Sequence, residues 1–123
     1  MALVYTFDPQ SNMWSTPNIA SAGTIITRKM TLLGIIDYKG KMYLWGGDDP
    51  ILYDTNYNDM FILDTINLNW GKGSLVNAPS SRFNYGAVLS PDNNIIYMGK
   101  QVIPVVNYLL FNLIYSFCFK FII

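Results

Sequence analysis

The chain has 123 residues, room for one modest domain. Its eight basic residues balance eight acidic ones, which excludes the basic footprint of a nucleic-acid or anionic-membrane binder. It contains no histidine, the commonest general base and metal ligand, and one cysteine, Cys118, so neither an internal disulfide nor a Cys/His zinc framework can form.

The first residues, Met-Ala-Leu-Val-Tyr-Thr-Phe-Asp, lack a basic n-region, and their apolar run is too short for a secretory signal peptide. Residues 1–100 then alternate short apolar runs with Gly, Pro, Asn and Asp, the pattern of many short strands and turns. In chain order the expected strands are Leu3 to Phe7, Arg28 to Ile36, Lys41 to Trp45, Asp59 to Leu63, Leu68 to Lys72, Phe83 to Leu89 and Asn94 to Met98. No segment before residue 100 sustains a helical apolar period, so the expected fold class is all-β.

Two segments recur. Val4-Tyr5-Thr6-Phe7-Asp8 followed by Trp14 returns as Met60-Phe61-Ile62-Leu63-Asp64 followed by Trp70. Arg28, an apolar strand and Lys41-Met42-Tyr43-Leu44-Trp45-Gly46-Gly47 return as Arg82, an apolar strand and Asn94-Ile95-Ile96-Tyr97-Met98-Gly99. The two repeats interleave, and Trp45-Gly46-Gly47, Tyr57 to Asp64 and Trp70 fall in the order and at about the spacing of the kelch repeat, which residues 3–99 resemble. The resemblance implies a partial kelch β-propeller: one complete four-stranded blade from Arg28 to Trp70, preceded by the last two strands of one blade and followed by the first two of another. A free-standing propeller needs at least about four such blades.

Physical roles accompany that pattern. Gly46 and Gly47 suit a strand end where side chains are forbidden or another strand approaches closely. Trp14 and Trp70 are large apolar plugs for the wedge between sheets. Arg28 and Arg82 are expected to tie blades together through backbone carbonyls. In an up-and-down blade the connection between the second and third strands and the connection to the next blade leave on one face, and here these are the long ones: Ser15 to Thr27, Asp48 to Asn58 and Gly73 to Ser81. Long loops on a rigid scaffold carry recognition, so Arg28, Lys29, Asp48, Asp49, Tyr53, Asp54 and Tyr57 are the expected partner contacts.

Chemical motifs fall away. Asp54 to Asp59 opens like a calcium loop, but Asp59 stands where the glycine is required and Thr65 where the closing glutamate belongs. Gly71-Lys72-Gly73-Ser74 lacks the upstream glycine of a phosphate loop. Copper oxidases of the galactose oxidase kind share the kelch architecture but bind copper through histidines. No cofactor, metal site or enzymatic activity is therefore expected.

Gln101 to Ile123 is different in kind, an apolar stretch with Lys120 as its only charge, long enough to span a bilayer as a helix. It begins where the repeat places a second glycine and Lys100 stands instead. Two readings follow: a tail-anchored, membrane-associated kelch protein, or a truncated product whose tail never evolved to fold on a propeller, the second being preferred. The expected function is a protein–protein interaction module with no nucleic-acid partner, cytoplasmic unless the tail is an anchor, and open to self-association through unpaired blade edges; a fragment of a propeller-scaffold enzyme is the last reading, and it would need catalytic groups from missing blades.

Overall fold

Each short-turn hairpin owes its turn to a short polar side chain that folds back on it. Asp37 accepts from the amides of Lys39 and Lys41 through Oδ1, both at 2.9 Å, and its own amide donates to the Lys41 carbonyl. Gly40 supplies the left-handed residue of that turn at φ 76°. Asp64 likewise holds the amides of Ile66 and Asn67, with Leu68 left-handed at φ 50°.

The computed structural model describes residues 2–21, 23, 26–49, 51, 57–82 and 84–99. Among these it is all-β and contains no helix: eight strands form three small antiparallel sheets. The first sheet pairs β1 (Thr6–Asp8) with β2 (Met13–Ser15). The second has four strands in sequence order, β3 (Gly34–Ile36), β4 (Lys41–Trp45), β5 (Met60–Asp64) and β6 (Asn69–Lys72). The third pairs β7 (Gly86–Leu89) with β8 (Ile95–Met98). No described helix is long and apolar enough to cross a membrane, and Gln101 to Ile123 lie outside the described residues.

The sequence repeat is also a repeat of geometry. Phe7 faces Trp14 across β1–β2 as Leu63 faces Trp70 across β5–β6. Asp8 takes the amide of Gln10 as Asp64 takes that of Ile66, and Asn12 (φ 56°) occupies the left-handed position of Leu68. The β3–β4 and β7–β8 hairpins match in the same way. Ser90 and Asn94 bond as Asp37 and Lys41 do, and Asn93 (φ 65°) replaces Gly40, asparagine being among the few side chains that tolerate the left-handed region.

The core lies on one face of the four-stranded sheet, where Phe61, Leu63 and Trp70 are buried and the Phe61 and Trp70 rings meet edge to face at 6.4 Å. Val4, Ile19 and Ile26 from the preceding chain pack against them. Trp70 thus fills a wedge between two parts of the chain at 9% exposure, whereas Trp14 stands 69% exposed beside Phe7. The start of the outer β6 edge is capped by an isolated parallel bridge from Ala20, whose amide donates to Leu68 and whose carbonyl accepts from Trp70. A capped stretch of edge cannot template another chain.

Most expected strands start later in the structure than in the sequence reading, and two differences change the picture. In the segment from Arg28 the strand is confined to β3, since Met30 makes only an isolated bridge to Asp48 and Thr31 turns left-handed at φ 57°. Met13–Ser15, marked in the sequence by Trp14 alone, is a strand in its own right.

Candidate functional site

At the Trp45 end of the four-stranded sheet, backbone hydrogen bonds lace Met30 and Thr31, Gly46 to Asp48, Tyr57 and Asp59, and Arg82 and Asn84 together. Met30 and Asp48 exchange amide and carbonyl at 3.0 Å in both directions. Gly47 donates to the Arg82 carbonyl at 3.0 Å, and Asn84 donates to that of Thr31 at 2.9 Å. The base of the connection after β4 is closed by Tyr57, which donates to Gly47, and by Gly46, which donates to Asp59.

The glycine pair is what permits this lacing. Gly46 and Gly47 sit at φ 65° and 88°; a Cβ on Gly46 would meet the Arg82 carbonyl oxygen at 2.5 Å, and one on Gly47 the Met30 carbonyl at 2.9 Å. Arg82 contributes through its side chain as well, but within its own hairpin: its guanidinium donates to the Gly99 carbonyl at 2.5 Å. Its inter-sheet tie is made by its backbone carbonyl.

Lys29 lies inside this junction. Its side chain is 2% exposed, ion-paired with Asp59, and its ammonium stands 4.6 Å from the Tyr57 ring centroid and 4.4 Å from that of Phe61. Burial pulls the lysine below its ordinary value, and the hydrogen bond and charge of Asp59 oppose that fall. Tyr57 also donates to Asp49 Oδ2 at 2.7 Å, and this bond, with partial burial, raises the phenol above its ordinary value. Asp49 Oδ1 accepts from the Ile51 amide, and Thr31 donates to Asp48 Oδ2 at 2.6 Å.

Of the expected contact residues, Arg28 is exposed, and Asp49 and Tyr57 are partly exposed. Lys29 and Asp48 are turned inward, each with partners that knit the connections together. Tyr53 and Asp54 lie outside the described residues. The partners of Lys29, Asp59 and Phe61, carry no sequence signal as such, since both read as parts of the β5 strand pattern.

Two cavities adjoin the sheets. One of about 400 Å³ is floored by Leu44, Phe61 and Trp70 and walled by Leu3, Ile26 and Lys29. The other, of about 200 Å³, lies between the β3–β4 and β7–β8 turns against Asp37, Tyr43, Asn94 and Tyr97. Among the described residues no three His, Cys, Asp or Glu side chains gather as metal ligands. The junction presents the exposed Arg28 and the partly exposed Asp49 and Tyr57 on a hydrogen-bonded frame. No protein-family model matches the chain, and no curated protein matches it.

Proposed function

We propose that the chain is a kelch-type propeller module that binds a protein partner, without catalysis, through the face its long connections form. The observation that carries this reading is the recurrence of both hairpin types, in register and in turn chemistry, around a four-stranded up-and-down sheet whose Gly46-Gly47 corner admits no side chain. Such a unit matches the blade of a propeller, and blade-top loops are its customary recognition surface. Arg28, Asp49 and Tyr57 are the contacts on that face; Lys29 and Asp48 hold it in shape. Tyrosine and arginine at a rigid rim suit the anchor role such residues play in protein interfaces.

The test is a partner captured by the wild-type chain and titrated against face-specific variants. Arg28→Ala with Tyr57→Ala is expected to weaken that partner about thirtyfold or more, the effect of losing about 2 kcal/mol at an anchor. Lys39→Ala with Asn67→Ala, in the short turns of the opposite end, is expected to leave it within about twofold. Equal losses from both pairs, or none from the first, would overturn the assignment of the face.

A further inference from the structure

The two partial sheets are complementary halves of the complete one. β1–β2 repeats β5–β6, and β7–β8 repeats β3–β4, so β8 has the place of β4 and β1 the place of β5. In the complete sheet β4 and β5 pair along five residues, Lys41 with Asp64 through Trp45 with Met60. Among the described residues nothing pairs with β8 away from β7 or with β1 away from β2.

Burial shows the same incompleteness. Phe61 is 3% exposed and its equivalent Tyr5 is 51%; Trp45 is 3% and its equivalent Met98 is 59%. Phe7, Trp14, Val88 and Ile96 are exposed as well. A row of unpaired backbone groups flanked by apolar side chains is a template for another strand.

We infer that β8 of one copy of this chain pairs antiparallel with β1 of a second copy, forming an intermolecular four-stranded sheet in the order β7, β8, β1, β2. Carrying the β4–β5 register across fixes the partners: Ile95 opposite Phe7, Ile96 opposite Thr6, Tyr97 opposite Tyr5 and Met98 opposite Val4. The bond from Gly46 to Asp59 makes their pair a hydrogen-bonded one, so Tyr43 and Ile62, three positions further along, form a non-hydrogen-bonded pair. Ile96 and Thr6 inherit that arrangement, with Cα atoms about 4.5 Å apart, within the range a disulfide spans.

The contact is head-to-tail, so every added copy brings one free β8 and one free β1, and the assembly either closes into a ring or grows. Each copy then contributes one sheet of its own and one shared sheet. On the propeller reading, which this ring size alone rests on, closure at about four to eight blades corresponds to about two to four copies.

The experiment uses the full chain carrying Cys118→Ser, with Thr6→Cys and Ile96→Cys introduced separately and the two proteins mixed under mild oxidation. A disulfide-linked dimer is expected in that mixture and in neither protein alone. Thr6→Cys mixed with Tyr97→Cys, one residue out of register and on the opposite face, is expected to stay uncrosslinked. No dimer in the first mixture, or equal dimer in every sample, would overturn the pairing. Native mass spectrometry of the chain without cysteine substitutions gives the second readout: two to four copies are expected, and a strict monomer would likewise overturn it. A crosslink accompanied by open-ended growth would sustain the pairing while counting against the propeller reading.

Discussion

Two hairpins with one turn chemistry have opposite surroundings. β5–β6 and β1–β2 share a carboxylate-held turn, a left-handed residue before the second strand and an apolar side chain facing a tryptophan. Trp70 is buried and Trp14 is not, because β5 has β4 on its other side, Val4, Ile19 and Ile26 pack against the β5–β6 face, and Ala20 caps the start of the β6 edge. The hairpin is thus a local product of turn and register, while its burial comes from neighbours distant in sequence.

The sharpest way to break that comparison is to truncate both tryptophans. Trp70→Ala removes the centre of the core and is expected to cost about 3–5 kcal/mol in denaturant unfolding. Trp14→Ala, measured in dilute monomer, loses little beyond the Phe7 contact at 5.0 Å and is expected to cost no more than about 1.5 kcal/mol. Equal losses would mean that the β1–β2 face is covered in solution.

Glycine distinguishes the corner of the sheet from the middle of its β6 strand in a similar way. Gly46→Ala forces a side chain into left-handed backbone against the Arg82 carbonyl, with an expected cost of at least about 1–3 kcal/mol from the conformation alone. Gly71, inside β6, has nothing within 4 Å of a Cβ, so Gly71→Ala is expected to change stability by no more than about 1 kcal/mol, in the stabilising direction. A Gly46→Ala protein as stable as wild type would show that the lacing at the Gly46-Gly47 corner is loose.

The same division governs what was legible in the chain. β4 matches its expected bounds to the residue because an apolar strand is framed there by an Asp-x-x-Gly turn and a glycine pair. Expected strands starting at Arg28 and Leu68 begin later in the structure, since Thr31 and Leu68 take left-handed backbone that no composition rule assigns to threonine or leucine. At the junction, Arg28 and Tyr57 were legible as loop residues. The inward turn of Lys29 was not, because it depends on Asp59 and two aromatic rings brought together only by strand pairing. Asp37, a turn residue with no expected role, is buried and bonds the Tyr43 hydroxyl at 3.0 Å.

Acid titration sharpens the comparison without touching the core. Asp64 is held below the ordinary carboxyl value of 3.8 chiefly by the Asn67 amide and side chain, and Asp8 by the Ser11 hydroxyl and the Gln10 amide. A carboxyl depressed on folding binds fewer protons in the folded state, so its contribution is present above 3.8 and is lost as pH falls through the folded value. Asp64→Asn and Asp8→Asn are each expected to flatten the acid limb of a stability–pH curve by a similar small amount. A flattening by Asp64→Asn alone would show that the β1–β2 turn does not hold its hairpin in solution.

The smallest single effect is expected at Tyr97, where β7–β8 meets the four-stranded sheet and the Tyr85 and Tyr97 rings touch edge to face at 5.5 Å. The Tyr85 hydroxyl is the working one: it lies 2.5 Å from the Trp45 carbonyl and 3.3 Å from the Leu33 amide that donates to it. The Tyr97 hydroxyl is buried without a partner among the described residues, and burial, with the nearby Tyr85 and Tyr43, pushes its phenol up to about 12. A phenol raised by burial leaves stability unchanged below its ordinary value of 10.0 and erodes it as pH climbs from there toward the folded value. Tyr97→Phe is therefore expected to be neutral or to stabilise by up to about 1 kcal/mol at pH 7, and to soften the loss above pH 10. Tyr85→Phe, which strands a buried carbonyl and an amide, is expected to cost about 1–2 kcal/mol. Thermal melts of both variants at pH 7 and above pH 10 check this, and the opposite ranking at pH 7 would mean that Tyr97 has a partner in solution that ties the β7–β8 sheet more firmly than Tyr85 does.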